Sequence, residues 1–320
     1  MLFEKQIEAM YRKNLYVRQD NAGEIFYFAP EDFPGLQARE YDFKSDAGHD
    51  LRGYFYFYGD PIPGRLVVFD HGMGNGHRAY MREIEQLCQG GFLVYSYDHT
   101  GCMRSGGQHC NGFATSLRDL DACITALEAE PALRDRTISV MGHSWGGFST
   151  MNIAALHPKI THVVSMSGFA SVEKIVGQNF SGLLKPYQKL IMDLERRSNP
   201  KYVDFDAAQS LENCDAKVLL IYADDDKIVH KNVHYDYLSS RLSGKKNVRF
   251  LVVTGKNHNP SYTTDAVKYK DDFFATYQKR LKKLTDSPSR KAFMDRYDWR
   301  RMTQQDAQVW GAVIAHLKDE

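Results

Sequence analysis

Short runs of consecutive apolar residues recur along the chain, each ending in a loop rich in Gly, Asp or His: RLVVFDHG, GFLVYSYDHTG, TISVMGHS, HVVSMSG, KVLLIYADDD and NVRFLVVTG. Apolar and β-branched density without alternation is the pattern of parallel strands covered on both faces. Upstream, REYDFKSDAGHDLRGYFYFY alternates around Asp46-Ala47-Gly48, which predicts a two-stranded hairpin. Between the runs the period changes. Leu117, Leu120, Ile124 and Leu127 fall three to four apart, on one face of a helix, and RAYMREIEQLCQGG ends in the helix stop Gly90-Gly91. Strands alternating with helices predict an open α/β sheet, in which function gathers at the carboxyl ends of the strands.

Two stretches interrupt the rhythm. Nearly fifty residues separate Gly168 from the next strand at Lys217, more than a crossover needs, and NFSGLLKPYQKLIMDLERRSNP within them predicts a small helical insert broken at Pro186 and Pro200. After the last strand the pattern is helical, with a break at Ser287 to Ser289. The expected organisation is therefore a leader over residues 1–38 and one α/β domain over 39–320. That domain carries an insert at about 170–211 and a helical tail from about 265.

Composition narrows the classes of function. With 41 Lys+Arg against 40 Asp+Glu, no overall field favours nucleic acid, and the basic run QKRLKKL reads as a solvated helix end. The apolar runs are far too short to span a bilayer, and MLFEKQIEAMYRKN lacks the apolar core of a secretory signal. Five cysteines, Cys88, Cys102, Cys110, Cys123 and Cys214, are odd in number and form no CxxC pair. Free thiols in a reducing cytoplasm are the expectation. No His-Glu-x-x-His or Cys/His cluster points to a metal, and no cofactor is expected.

The candidate chemistry centres on Gly142-x-Ser144-x-Gly146, which lies between a predicted strand and the apolar helix FSTMNIAALH. Glycines at both second neighbours either permit a tight turn only, or permit a turn that holds the serine up as a nucleophile. A serine hydroxyl needs a base in reach and a carboxylate that orients the base. His258 follows the late run VRFLVVTG, whereas His143 and His71 come earlier in the chain and His157 and His162 flank other elements. Asp224, Asp225 and Asp226 follow KVLLIYA, and turn chemistry explains any of them equally well. In DHGMGNGHR the glycines fall at 72, 74 and 76. The dinucleotide fingerprint needs one at 77, where His77 stands, so that reading fails on spacing.

These motifs, in this order over roughly residues 40–283, resemble the α/β-hydrolase superfamily. The resemblance implies a mostly parallel central sheet of about eight strands flanked by helices, with a small helical cap formed by the insert. It also implies a catalytic set of Ser144, Asp226 and His258, since a small residue, two variable residues, the acid, two more and then valine fits Ala223 to Val229. Asp225 is the alternative acid. The backbone N–H groups of Met73, in His71-Gly72-Met73-Gly74, and of Trp145 are implied as oxyanion donors. Asp98, Gly101, Ser105 and Gly107 match a site-shaping turn in which Cys102 departs from the commoner residues.

The activity this implies is hydrolysis of a small-molecule carboxylic ester through an acyl-enzyme. An aminopeptidase or amidase, a thioesterase, and a hydrolase-fold binding protein without turnover are the alternatives. Phe180, Leu183, Leu184, Tyr187, Leu190, Ile191 and Leu194 either line an apolar pocket or pack the cap onto the domain. Glu173, Asp193 and Glu195 are the acids that an aminopeptidase would need for a substrate's α-amino group. The pattern does not address oligomeric state.

Overall fold

The computed structural model describes residues 3–20 and 24–319. Residues 1, 2 and 21–23 of the leader, and 320 of the tail, lie outside the described residues. Eight strands form one sheet: β1 (Leu36–Glu40), β2 (Gly53–Tyr58), β3 (Arg65–Asp70), β4 (Leu93–Tyr97), β5 (Thr137–His143), β6 (His162–Met166), β7 (Lys217–Ala223) and β8 (Val248–Val253). Their spatial order is β1-β2-β4-β3-β5-β6-β7-β8. β1 and β2, and β2 and β4, pair antiparallel; every later pairing is parallel. The predicted hairpin is present, its tip a short ribbon in which Phe43 pairs with Leu51 around the Asp46–Gly48 turn.

The central strands carry unbroken apolar runs because both of their faces are covered. Successive side chains point to opposite faces. Leu66 and Val68 join one core with Val140 and Leu220, while Val67 and Phe69 join the other with Met141, Leu219 and Ile221. The first core is closed by α3 (Thr115–Ala129) and α4 (Trp145–Ile153) and the second by α2 (Met81–Gln89) and α12 (Ala307–Lys318). Of the outer strands, β1 is largely solvent-facing and β8 is mostly buried or half-buried.

The insert is helical. It comprises α5 (Val172–Asn179), a 3₁₀ turn at Gly182–Tyr187 that accommodates Pro186, α6 (Gln188–Ser198), which ends just before Pro200, and α7 (Ala207–Glu212). The tail begins with α9 (Thr264–Arg280), α8 being the crossover helix Tyr235–Leu242. Pro288 sits in the first turn of α10 (Ser287–Met294), where a missing N–H costs nothing, and α11 (Trp299–Met302) follows. Phe273, Tyr277, Phe293 and Met302 give this tail its own small core. The leader opens with α1 (Glu4–Leu15), which lies against α6. Its Tyr11 hydroxyl donates to Glu195 Oε1 at 2.6 Å, so leader and cap share a buried contact. Among the described residues no helix is long and apolar enough to cross a membrane.

Candidate active site

Ser144 stands between the end of β5 and the first residue of α4, with φ 56° and ψ −109°. A non-glycine residue is rarely held at such a backbone angle, and holding it costs about 1–3 kcal/mol. The two flanking glycines explain how the turn closes. A Cβ on Gly142 would stand 2.3 Å from the Gly146 carbonyl oxygen, and one on Gly146 would stand 2.0 Å from that of Asp70. The start of α4 is thus seated directly on the end of β3, and only glycine allows that approach.

His258 Nε2 lies 2.9 Å from Ser144 Oγ, and His258 Nδ1 lies 2.8 Å from Asp226 Oδ2. Because a carboxylate only accepts, Nδ1 carries the proton and Nε2 is free to take one from the serine. Asp226 is buried and its Oδ1 accepts the Ile228 and Val229 N–H groups at 2.9 and 3.0 Å. Burial pushes its carboxyl upward, but His258 and these two donors prevail and hold it below the ordinary carboxylate value.

The neighbouring aspartates do different work. Asp225 Oδ1 accepts from Lys256 N and Asn257 N at 3.0 and 2.8 Å, and Asp224 Oδ1 from Gly255 N at 3.2 Å. Both tie the loop after β7 to the loop that carries His258. Of the three aspartates, Asp226 is the one whose carboxylate meets the ring.

Met73 and Trp145 flank the serine, each lining a cleft that includes it. Trp145 is the first residue of α4, so its N–H has no partner within the helix. The Met73 N–H is aimed indirectly. The peptide between Gly72 and Met73 is planar and trans, so its C=O and N–H point in opposite directions. His71 Nδ1–H donates to the Gly72 carbonyl at 2.7 Å, while His71 Nε2 accepts the His99 N–H at 3.2 Å. Burial holds the His71 pKa down at about 3, which keeps the ring in the one-donor, one-acceptor form this arrangement requires.

Two further histidines lie at the site: His143, set aside as the base on chain order, and His99, which the sequence pattern does not mark. His143 packs beside His258, ring centroids 4.7 Å apart. Its Nε2–H donates to the His258 carbonyl at 2.7 Å, and its Nδ1 accepts from the Tyr80 hydroxyl at 2.9 Å. Burial, reinforced by repulsion from His258, lowers its pKa to about 3, so it braces the His258 loop as a neutral group. His99 lies beneath Trp145, with Nε2 2.9 Å from Asp70 and Nδ1 3.5 Å from Asp119. Burial would lower its pKa, yet the two carboxylates win and raise it to about 9. In the turn after β4, Ser105 Oγ donates to the Asp98 carbonyl, and Asp98 Oδ1 accepts from the backbone and ring of His77. Cys102 in that turn is fully buried, and burial pushes its thiol well up.

Comparison with known proteins places the fold. Residues 61–205 match the family model described as serine aminopeptidase, S33. The Pyrococcus furiosus esterase Pf2001 superposes with a TM-score of 0.58 at 18% identity, over 81% of this chain and 96% of that one. The chain has the α/β-hydrolase fold. The α/β-hydrolase GrgF of Penicillium sp. sh18 superposes with a TM-score of 0.53 at 15% identity, over 81% of this chain and 99% of that one. Among curated proteins, RutD of Agrobacterium fabrum, a candidate carbamate hydrolase, is 24% identical over 139 residues, 43% of this chain and 51% of its own length. A monoglyceride lipase homolog of Monkeypox virus is 28% identical over 124 residues, 37% of this chain and 44% of its own length. The chain thus spans about half the length of the curated relatives it matches.

Two clefts of this fold meet at Ser144. The cap-side cleft, about 360 Å³, is walled by Leu15, Phe113, Trp145, Phe169 and Ile175. The tail-side cleft, about 240 Å³, has Phe26, Tyr262, Lys270, Phe274 and Trp299 in its walls, together with His258. The cap's apolar residues contribute to neither lining. Phe180, Ile191 and Leu194 are buried against the domain, and Leu183 is 97% exposed. The cap reaches the site through α5 instead, by Ile175, Gln178 and Asn179. Glu173, Asp193 and Glu195 also lie outside both linings. Glu195 is occupied by Tyr11, Tyr16 and the Phe113 N–H, and Asp193 lies within ion-pair reach of Arg196.

Leu15, Phe26 and Lys270 are among the cleft residues that the sequence pattern conceals. For Lys270 a signal exists. It lies three residues after Val267 and three before Phe273 on α9, a cation on the stripe that the helix buries.

Proposed function

We propose that this α/β-hydrolase is a serine hydrolase that cleaves small-molecule carboxylic esters through an acyl-enzyme on Ser144. The observation that carries the reading is the continuous chain from Ser144 Oγ through His258 to Asp226, at 2.9 and 2.8 Å, with the serine held at a positive φ. In the first half-reaction the Ser144 oxygen attacks the ester carbonyl while His258 Nε2 takes its proton. Charge forms on the carbonyl oxygen, where the N–H groups of Met73 and Trp145 stabilise it. The tetrahedral species collapses as the imidazolium returns its proton to the departing alcohol. Water, deprotonated in turn by His258, then releases the acid. Asp226 stabilises the imidazolium throughout.

The linings favour ester over aminopeptidase chemistry. Among the described residues no Asp or Glu lines either cleft, whereas Lys270 lines one and Lys227 the other. A substrate's α-ammonium group would meet like charge and no carboxylate. Five buried, unpaired cysteines suit a reducing cytoplasm.

A fluorophosphonate probe followed by intact-mass analysis tests the reading. One adduct on the native protein and none on Ser144→Ala is expected. Turnover of p-nitrophenyl esters should exceed that of aminoacyl-anilides. An unlabelled native protein, or equal labelling of the variant, would refute it.

A further inference from the structure

The two clefts are chemically unlike, and the position of His258 assigns them. The imidazolium must hand its proton to the leaving oxygen, so the leaving group occupies the side that His258 faces. Ser144 lines both clefts, but His258 lines the tail-side cleft alone, while Trp145 lines the cap-side one.

The tail-side cleft combines aromatic walls with one cation. Lys270 Nζ donates to Asn259 Oδ1 at 2.7 Å and lies 5.1 Å from the Tyr262 ring centroid. An ammonium has three donors, so further donors remain for a ligand. No ion pair joins Lys270 to a carboxylate among the described residues; burial lowers its pKa from the ordinary value, while Glu83 and Asp271, on its own helix, favour the charged form. Burial raises Glu83 to about 7, so near neutrality that carboxyl is divided between its charged and uncharged forms and offsets the lysine only in part. An ammonium on the wall of a small cleft, without an ion-pair partner, is a site for an anion.

We propose that the tail-side cleft receives the leaving group of the substrate and that Lys270 selects a leaving group carrying a carboxylate. This rests on the serine-hydrolase reading and names the substrate class for that site. The alcohol has an apolar or aromatic body, held between Phe26, Phe274 and Trp299, and an acidic end directed at Lys270. The acyl group occupies the cap-side cleft.

The test compares the acetyl esters of 4-hydroxybenzoate and 4-hydroxybenzamide, nearly isosteric alcohols of which one is anionic. Each kcat/KM is divided by the ester's own hydroxide-catalysed rate. The corrected ratio should favour the anionic ester by about ten- to hundredfold, the range of a hydrogen bond to a charged group. Lys270→Met should bring the ratio close to one, chiefly through KM, and Lys270→Arg should retain most of the preference. A ratio near one in the native protein, or one unchanged by Lys270→Met, would overturn the proposal. A purely structural lysine would lower both rates and leave the ratio alone. Calorimetric titration of Ser144→Ala with 4-hydroxybenzoate and 4-hydroxybenzamide separates the two conclusions. Failure of fluorophosphonate labelling refutes the serine mechanism, while equal binding of the two alcohols by Ser144→Ala refutes the anion site.

Discussion

Replacing Asp226 by Asn changes one oxygen for one NH₂ group, and the structure dictates which way the amide turns. Asp226 Oδ1 accepts the Ile228 and Val229 N–H groups, so the oxygen of the new amide is retained there and its NH₂ faces His258. That NH₂ donates to Nδ1, which must then give up its proton. The proton moves to Nε2, and the ring presents N–H to Ser144 Oγ where it presented a lone pair. A base has become a donor. In a well-studied serine protease the same exchange lowers kcat by ~10⁴-fold, or roughly 5 kcal/mol of transition-state stabilisation. A comparable loss in kcat is expected here, with KM and the thermal midpoint little changed.

The adjacent exchange is the control. In Asp225→Asn the amide oxygen still accepts from Lys256 N and Asn257 N, so only the charge on two loop hydrogen bonds is lost. That costs about 1 kcal/mol and less than about tenfold in rate. Steady-state kinetics on a p-nitrophenyl ester, beside thermal unfolding of both variants, measures the contrast. A severe loss in Asp225→Asn beside near-normal Asp226→Asn would refute the assignment of the acid.

Other expectations follow from single contacts. Gly146→Ala should destabilise the protein by about 3 kcal/mol or more and abolish fluorophosphonate labelling, because its Cβ would stand 2.0 Å from backbone. Gly177→Ala in α5, with nothing within 4 Å, should be neutral or slightly stabilising by thermal unfolding. Tyr11→Phe should cost about 1.5–3 kcal/mol at pH 8 and less at pH 5, by urea unfolding. Burial raises Glu195 to about 7 from an ordinary 4.5, so stability linked to its proton is complete below 4.5 and is lost as pH rises through 7. Above 7 the charged carboxylate depends on the Tyr11 hydroxyl, and equal losses at both pH values would refute that link. Ester turnover should survive EDTA; loss on chelation that zinc restores would refute activation of the serine by His258.

The strands were legible because burial on both faces leaves continuous apolar runs, which need no tertiary knowledge to recognise. The order of Ser144, Asp226 and His258 was legible for a related reason, since each follows such a run. The three consecutive aspartates could not be ranked from the residues alone. Each accepts backbone N–H groups or a ring that folding brings from another loop, and these partners lie about thirty residues away. The apolar cap residues showed the same limit. The helical period of α6 marks a face to be buried but not the body that buries it, and that body proves to be the domain and α1, whose Tyr11 meets Glu195. His71 was read as part of a loop motif. Its orientation of the Gly72–Met73 peptide depends on His99, which belongs to the next strand's loop.

The leader bears on how this fold can diversify. Leu15 stands at the cap-side cleft and Phe26 at the tail-side cleft, so the part of the leader that precedes the first strand borders both clefts. Changes at Leu15 and Phe26 can reshape both clefts together, with β5, β7 and β8 and the groups that follow them left as they are. The same placement makes the N-terminus an unsuitable handle. A tag fused there, or a chain trimmed to the first strand, would alter the walls of the site while sparing its reactive atoms. Kinetic comparisons between homologues would then report the engineering of that end before they reported any difference in chemistry.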